Sequence, residues 1–121
     1  MVRNLVRLFI LSIFLFSCGG GADKLKQNAQ QAQVAADPEL QSLLNALQQK
    51  KSPDNYLALA QYYAKKKDVS RAVSNYQSAV RLDSVRWDIR MELGGYAYYN
   101  NSKRLGLEEF KLVLLGSDAS K

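Results

Sequence analysis

Residues 55–80 read NYLALAQYYAKKKDVSRAVSNYQSAV, and residues 89–114 read IRMELGGYAYYNNSKRLGLEEFKLVL. Laid over each other at an offset of 34 residues, the two stretches agree in side-chain size. Leu59 falls on Leu93, Ala60 on Gly94, Ala72 on Gly106 and Val73 on Leu107. Tyr76 falls on Phe110, Ala79 on Val113 and Val80 on Leu114. Unrelated amphipathic helices share a period of about 3.6 residues, but not one common register of large and small positions. The chain therefore carries a duplicated unit, and each copy has the length of two helices and a turn. Ser52-Pro53-Asp54 is a start signal for the first helix, with a capping hydroxyl before a proline. Asn100-Asn101 takes the turn position of the second copy, where asparagine tolerates left-handed backbone.

This period and pattern resemble the tetratricopeptide repeat, a helix–turn–helix unit of about 34 residues. In the first unit the residues that carry the resemblance are Tyr56, Leu59, Ala60, Tyr63, Ala72, Tyr76 and Ala79. In the second they are Leu93, Gly94, Gly106, Phe110 and Val113. The second unit departs further from the family pattern: Arg90 replaces the leading aromatic and Ala97 the tyrosine. The resemblance implies an all-α fold, a helical-hairpin solenoid of two such units, at 53–86 and 87–118. It also implies a packing role for these residues. Ala60 and Gly94 would lie where the helices of one hairpin cross, met from the other helix by Ala72 and Gly106, with Tyr76 and Phe110 filling the space between.

In that family the concave face comes from the first helix of each unit. The corresponding positions here are Asp54, Leu57, Gln61, Ala64 and Lys65, then Asp88, Met91, Gly95, Tyr98 and Tyr99, with Arg86 at the joint. The expected partner-binding residues on this groove are Leu57, Gln61, Lys65, Arg86, Met91, Tyr98 and Tyr99. The chaperone-tail clamp of the family needs lysine, asparagine and arginine along this face, and Leu57, Gln61 and Glu92 stand here instead. A second candidate surface lies on the last helix. Arg71, Ser78 and Arg81 of the first unit become Leu105, Leu112 and Leu115 in the second. Leu107, Phe110, Val113 and Leu114 are expected on the inner face, so this helix reads as apolar on two sides. The stretch from Gly116 to Lys121 is short and polar, and residues 119–121 read as a tail. Leu105, Leu112 and Leu115 are therefore expected to meet a second copy, a partner protein or a lipid surface.

Upstream, Asp37-Pro38 opens a helix with Leu40, Leu43, Leu44 and Leu47 at helical spacing. Residues 39–52 read as an N-terminal packing helix. Ala22 to Asp37 is rich in alanine and glutamine and has few large apolar residues, so a frayed helix or spacer is expected. With Gly19-Gly20-Gly21 it makes 18–38 a flexible tether.

Before the tether, Arg3 and Arg7 precede the apolar run LFILSIFLF (8–16), a secretory signal pattern too short to span a bilayer. Leu15-Phe16-Ser17-Cys18 resembles a bacterial lipobox, although Phe16 stands where a small residue is common. The resemblance implies that 1–17 is removed by cleavage between Ser17 and Cys18. It also implies that Cys18 is lipidated and its new amino terminus acylated, for example with palmitate. Two or more acyl chains hold a protein stably on a membrane. The implied location is the bacterial cell envelope, at the outer membrane if the cell has two.

Composition bounds the chemistry. With no histidine and one cysteine, neither a disulfide within the chain nor the usual imidazole or thiol catalysis is available. No metal and no cofactor are expected. Net charge is +6, of which Arg3 and Arg7 supply two, and the basic residues are scattered, so no nucleic acid is expected. The one adjacent acid pair, Glu108-Glu109, points to two sides of a helix and does not make an enzyme. The expected function is a membrane-anchored interaction module or scaffold, binding a protein partner or itself. The alternatives are a groove for a small ligand or envelope glycan, and a non-catalytic structural subunit of an envelope assembly.

Overall fold

The computed structural model describes residues 21–119, all helices and short connections with no strand among them. The lipobox with Ser17 and Cys18, and Gly19-Gly20, lie outside the described residues. The chain divides into two units, Met1–Pro38 and Glu39–Lys121. In the first, α1 (Gly21–Ala36) takes the helical one of the two expected forms. Alanine, glutamine and lysine favour helix strongly enough to carry Gly21 along, and Lys26 to Ala29 are exposed, as a stretch with little to bury should be.

The second unit is a run of helices packed in neighbouring pairs. It holds α2 (Pro38–Gln49), which starts at the division, then α3 (Pro53–Lys65), α4 (Val69–Leu82), α5 (Trp87–Tyr99) and α6 (Lys103–Ala119). The main packing pairs are α3 with α4, α4 with α5, and α5 with α6. Leu40 of α2 is buried, while Leu43, Leu44 and Leu47 are half-buried. The Asn55 amide donates to the carbonyls of Ala46 (3.1 Å) and Lys50 (2.8 Å), which also accept from the Lys50 and Ser52 N–H groups, so α3 is tied to the end of α2.

Local chemistry places each boundary. Ser52 caps α3 by accepting from the Asn55 N–H at 3.2 Å, with Pro53 next to it. The chain leaves α3 through Lys67, whose φ of 60° is left-handed, and Asn101 (φ 65°) does the same after α5. Asp68 caps α4 by accepting from the Arg71 N–H at 3.0 Å. Its other carboxylate oxygen lies 2.8 Å from Arg71 Nε, and the Arg71 guanidinium lies over the Tyr63 ring.

The core follows the duplicated positions. Leu59, Ala60, Tyr63, Ala72, Tyr76 and Ala79 are buried in the first hairpin, with Tyr56 half-buried. Leu93, Gly94 and Gly106 are buried in the second, with Phe110 and Val113 half-buried. The second hairpin crosses backbone to backbone. A Cβ on Gly106 would lie 2.7 Å from the Gly94 carbonyl oxygen, and one on Gly94 would lie 2.7 Å from Phe110 Cε1. Ile89, Leu93 and Ala97 have no exposed surface, because α5 is packed against both α4 and α6.

Two expectations about α6 change. The helix runs on through Gly116 to Ala119, so the described part of the stretch after Leu115 is helical and Ala119, expected in the tail, belongs to α6. Gly116 is seated against Trp87, where any Cβ would run into the indole ring. Leu107 and Leu114 are 58% and 68% exposed and do not belong to the inner face. Their counterparts Val73 and Val80 lie on a helix that α5 follows and packs upon, and Val80 is buried. Among the described residues no helix does this for α6.

Candidate functional site

Two polar clusters join the first helices of the hairpins, α3 and α5. At one end the Arg86 guanidinium forks between them. Its Nη1 donates to Asp54 at 2.9 Å, while Nη2 and Nε donate to Asp88 at 2.7 and 2.9 Å. Both acids lie in the first turn of their helix, where negative charge suits the exposed N–H groups. The Arg86 hydrogen bonds hold the Asp88 carboxyl below its usual value.

One to two turns further along, Glu92 collects three hydrogen bonds. Gln61 Nε2 donates to its two oxygens at 3.0 and 3.3 Å, and the Tyr76 hydroxyl donates at 3.2 Å. Burial, then the Glu92 carboxylate, pushes the Tyr76 phenol well above its ordinary value near 10. The folded state therefore holds Tyr76 neutral. The stability this gives is intact below about pH 10 and is lost as the pH rises from the ordinary phenol value toward the raised one. Tyr76→Phe has no proton to lose. Urea midpoints measured from neutral pH to pH values above the ordinary phenol range should fall less steeply for this variant than for the natural chain.

The groove residues expected from the sequence separate here. Gln61 and Arg86 are spent on bonds across the two helices. Lys65 and Tyr99 are exposed, Tyr99 at 85%, and Met91 is 49% exposed, while Leu57 is half-buried. Tyr98 departs from the groove. A Cβ on Gly106 would lie 2.8 Å from the Tyr98 Cβ, so Tyr98 faces α6, where the Lys103 ammonium lies over its ring. Its ring meets Tyr99 edge-on at 5.5 Å. Gly95 has nothing within 4 Å of where its Cβ would stand, which leaves the surface open between Met91 and Tyr99.

On α6, Leu112 and Leu115 are 46% and 61% exposed, whereas Leu105 is half-buried. Sequence reasoning missed the ion pair between Arg90 of α5 and Glu109 of α6. Arg90 Nη1 lies 2.7 Å from Glu109 Oε2, and the two side chains are only 13% and 11% exposed. Arg90 Nε also donates to the Ser84 carbonyl at 2.9 Å. The pair forms one wall of a cavity of about 530 Å³ between α4, α5 and α6, with Gln77, Val80 and Leu93 on the others. The signal in the sequence was Arg90 itself, a charge where the repeat pattern has an aromatic.

Among the described residues there is no cluster of acidic or sulfur ligands that could hold a metal ion. No described helix is long and apolar enough to cross a membrane. No protein-family model, curated protein or solved structure matches this chain.

Proposed function

We propose that this chain is a lipid-anchored interaction module of tetratricopeptide type, which holds a protein partner at the bacterial cell envelope. The reading assigns the anchor to Cys18, after cleavage behind Ser17, and recognition to the open side of α3 and α5. It assigns catalysis to no residue. The observation that carries it is the side-by-side placement of α3 and α5, linked by Arg86–Asp54 and Gln61–Glu92, with an unfilled surface at Gly95 beside Tyr99. Backbone-lined, partly aromatic surfaces of this kind suit a peptide segment. Tyr99, so widely exposed, favours as second reading the stacking of a glycan ring.

The test uses the full chain in a bacterial host. Labelled palmitate should enter the natural chain and leave Cys18→Ser unlabelled and out of the membrane fraction. Crosslinked protein partners should be recovered with the natural chain and lost with Gly95→Tyr, which puts a ring on the groove where a Cβ meets nothing within 4 Å. Recovery that ignores Gly95→Tyr would remove the groove from the reading, and an unlabelled natural chain would remove the anchor. Saturable glycan binding without any protein partner would favour the second reading.

A further inference from the structure

Among the described residues, four of the eight strongly exposed large apolar side chains lie on α6: Leu107, Leu112, Leu114 and Leu115. The others, Leu82, Val85, Met91 and Tyr99, are spread over the end of α4, the loop after it and α5. The duplication explains what kind of surface this is. Leu107 and Leu114 stand where Val73 and Val80 stand in α4, on the side that the next helix packs upon. Leu112 and Leu115 replace Ser78 and Arg81, the residues that keep the back of α4 polar. A helix facing only water would have kept those polar residues, and four exposed leucines on one broad face, around Arg104, Glu108 and Lys111, mark a contact surface.

We propose that α6 pairs with α6 of a second copy of this chain, antiparallel about a twofold axis. A twofold contact needs one patch that matches itself, whereas a head-to-tail contact needs two different patches that match each other. No other described helix of residues 39–119 exposes an apolar stripe, since the leucines of α2 are buried or half-buried and the remaining exposed residues are scattered. Charge selects the direction. Glu108 and Lys111 are both exposed and lie amid the leucines of the outward face. With the twofold axis between residues 109 and 110, antiparallel pairing sets each Glu108, which Arg104 of its own helix also bridges at 3.3 Å, beside the Lys111 of the other copy, and parallel pairing sets like charges together. The pairing rests on α6 and needs neither the lipid anchor nor the groove.

The experiment measures the mass of the full chain in detergent by sedimentation at micromolar concentration, with helix content followed by circular dichroism. The natural chain should carry two copies per particle. The variant Leu107→Ser/Leu114→Ser/Leu115→Ser should carry one, with its helix content kept. Glu108→Lys and Lys111→Glu should each weaken association roughly tenfold, and the two together should restore it, because opposite charges again face each other. A natural chain that sediments as a single copy overturns the proposal. So does a dimer indifferent to the leucine changes, a charge swap without rescue, or a single copy that uses these leucines to bind a different protein.

Discussion

Glu109→Ala is expected to cost the helical unit about 3 kcal/mol, because removing one member of a buried ion pair leaves the other charge uncompensated. Arg90 cannot turn to water: its side chain is 13% exposed and its Nε is already held by the Ser84 carbonyl. A unit of this size has only about 3–5 kcal/mol of stability in total, so the variant should keep about 2 kcal/mol or less. Urea denaturation followed by circular dichroism measures the loss. Two controls separate the pair from its surroundings. Ser74→Ala, on the exposed side of α4, should change stability by less than about 0.5 kcal/mol. Arg90→Met/Glu109→Leu removes both charges and fills their place, and should recover most of the stability. A Glu109→Ala midpoint equal to that of Ser74→Ala would show that the pair contributes nothing.

Gly106→Ala should also destabilise, by about 2 kcal/mol, even though alanine is the better helix former by about 1 kcal/mol. Its Cβ would sit 2.7 Å from the Gly94 carbonyl oxygen, 2.8 Å from the Tyr98 Cβ and 3.0 Å from the Tyr98 Cα. These are backbone and Cβ atoms of α5 with no rotamer to move into, so α5 and α6 must separate along the whole crossing. Gly95→Ala is the matched comparison on α5 itself. Nothing lies within 4 Å of that Cβ, and the propensity gain of about 1 kcal/mol should appear in full. Thermal melts of the two variants should therefore shift in opposite directions. A stabilised Gly106→Ala would show that the crossing has slack.

The helices and the duplicated positions were legible because they depend on local signals. Ser52-Pro53 and Asp68 cap helices through hydrogen bonds that span three residues, and the small residues at 60, 72, 94 and 106 stand out by size alone. The candidate surfaces were legible only in part. Arg86 and Gln61 look like free groove residues in the sequence, yet Arg86 is held by Asp54 of α3 and Asp88 of α5, and Gln61 by Glu92 of the other hairpin. Tyr98 and Tyr99 are neighbours in sequence and differ in role, since consecutive residues on a helix point about 100° apart and α6 covers only one of them.

By itself the sequence determined that this protein is helical, where most of its helices begin, and which positions of its two units correspond. Size, period and capping chemistry are properties of short segments and survive without knowledge of the fold. Only the tertiary structure decided that Arg90 and Glu109 are buried together, that Gly116 receives Trp87, and that Leu107 and Leu114 stay uncovered while Val80 is buried. Burial depends on what packs over a residue from elsewhere in the chain, and a position equivalent in pattern is not equivalent in what covers it.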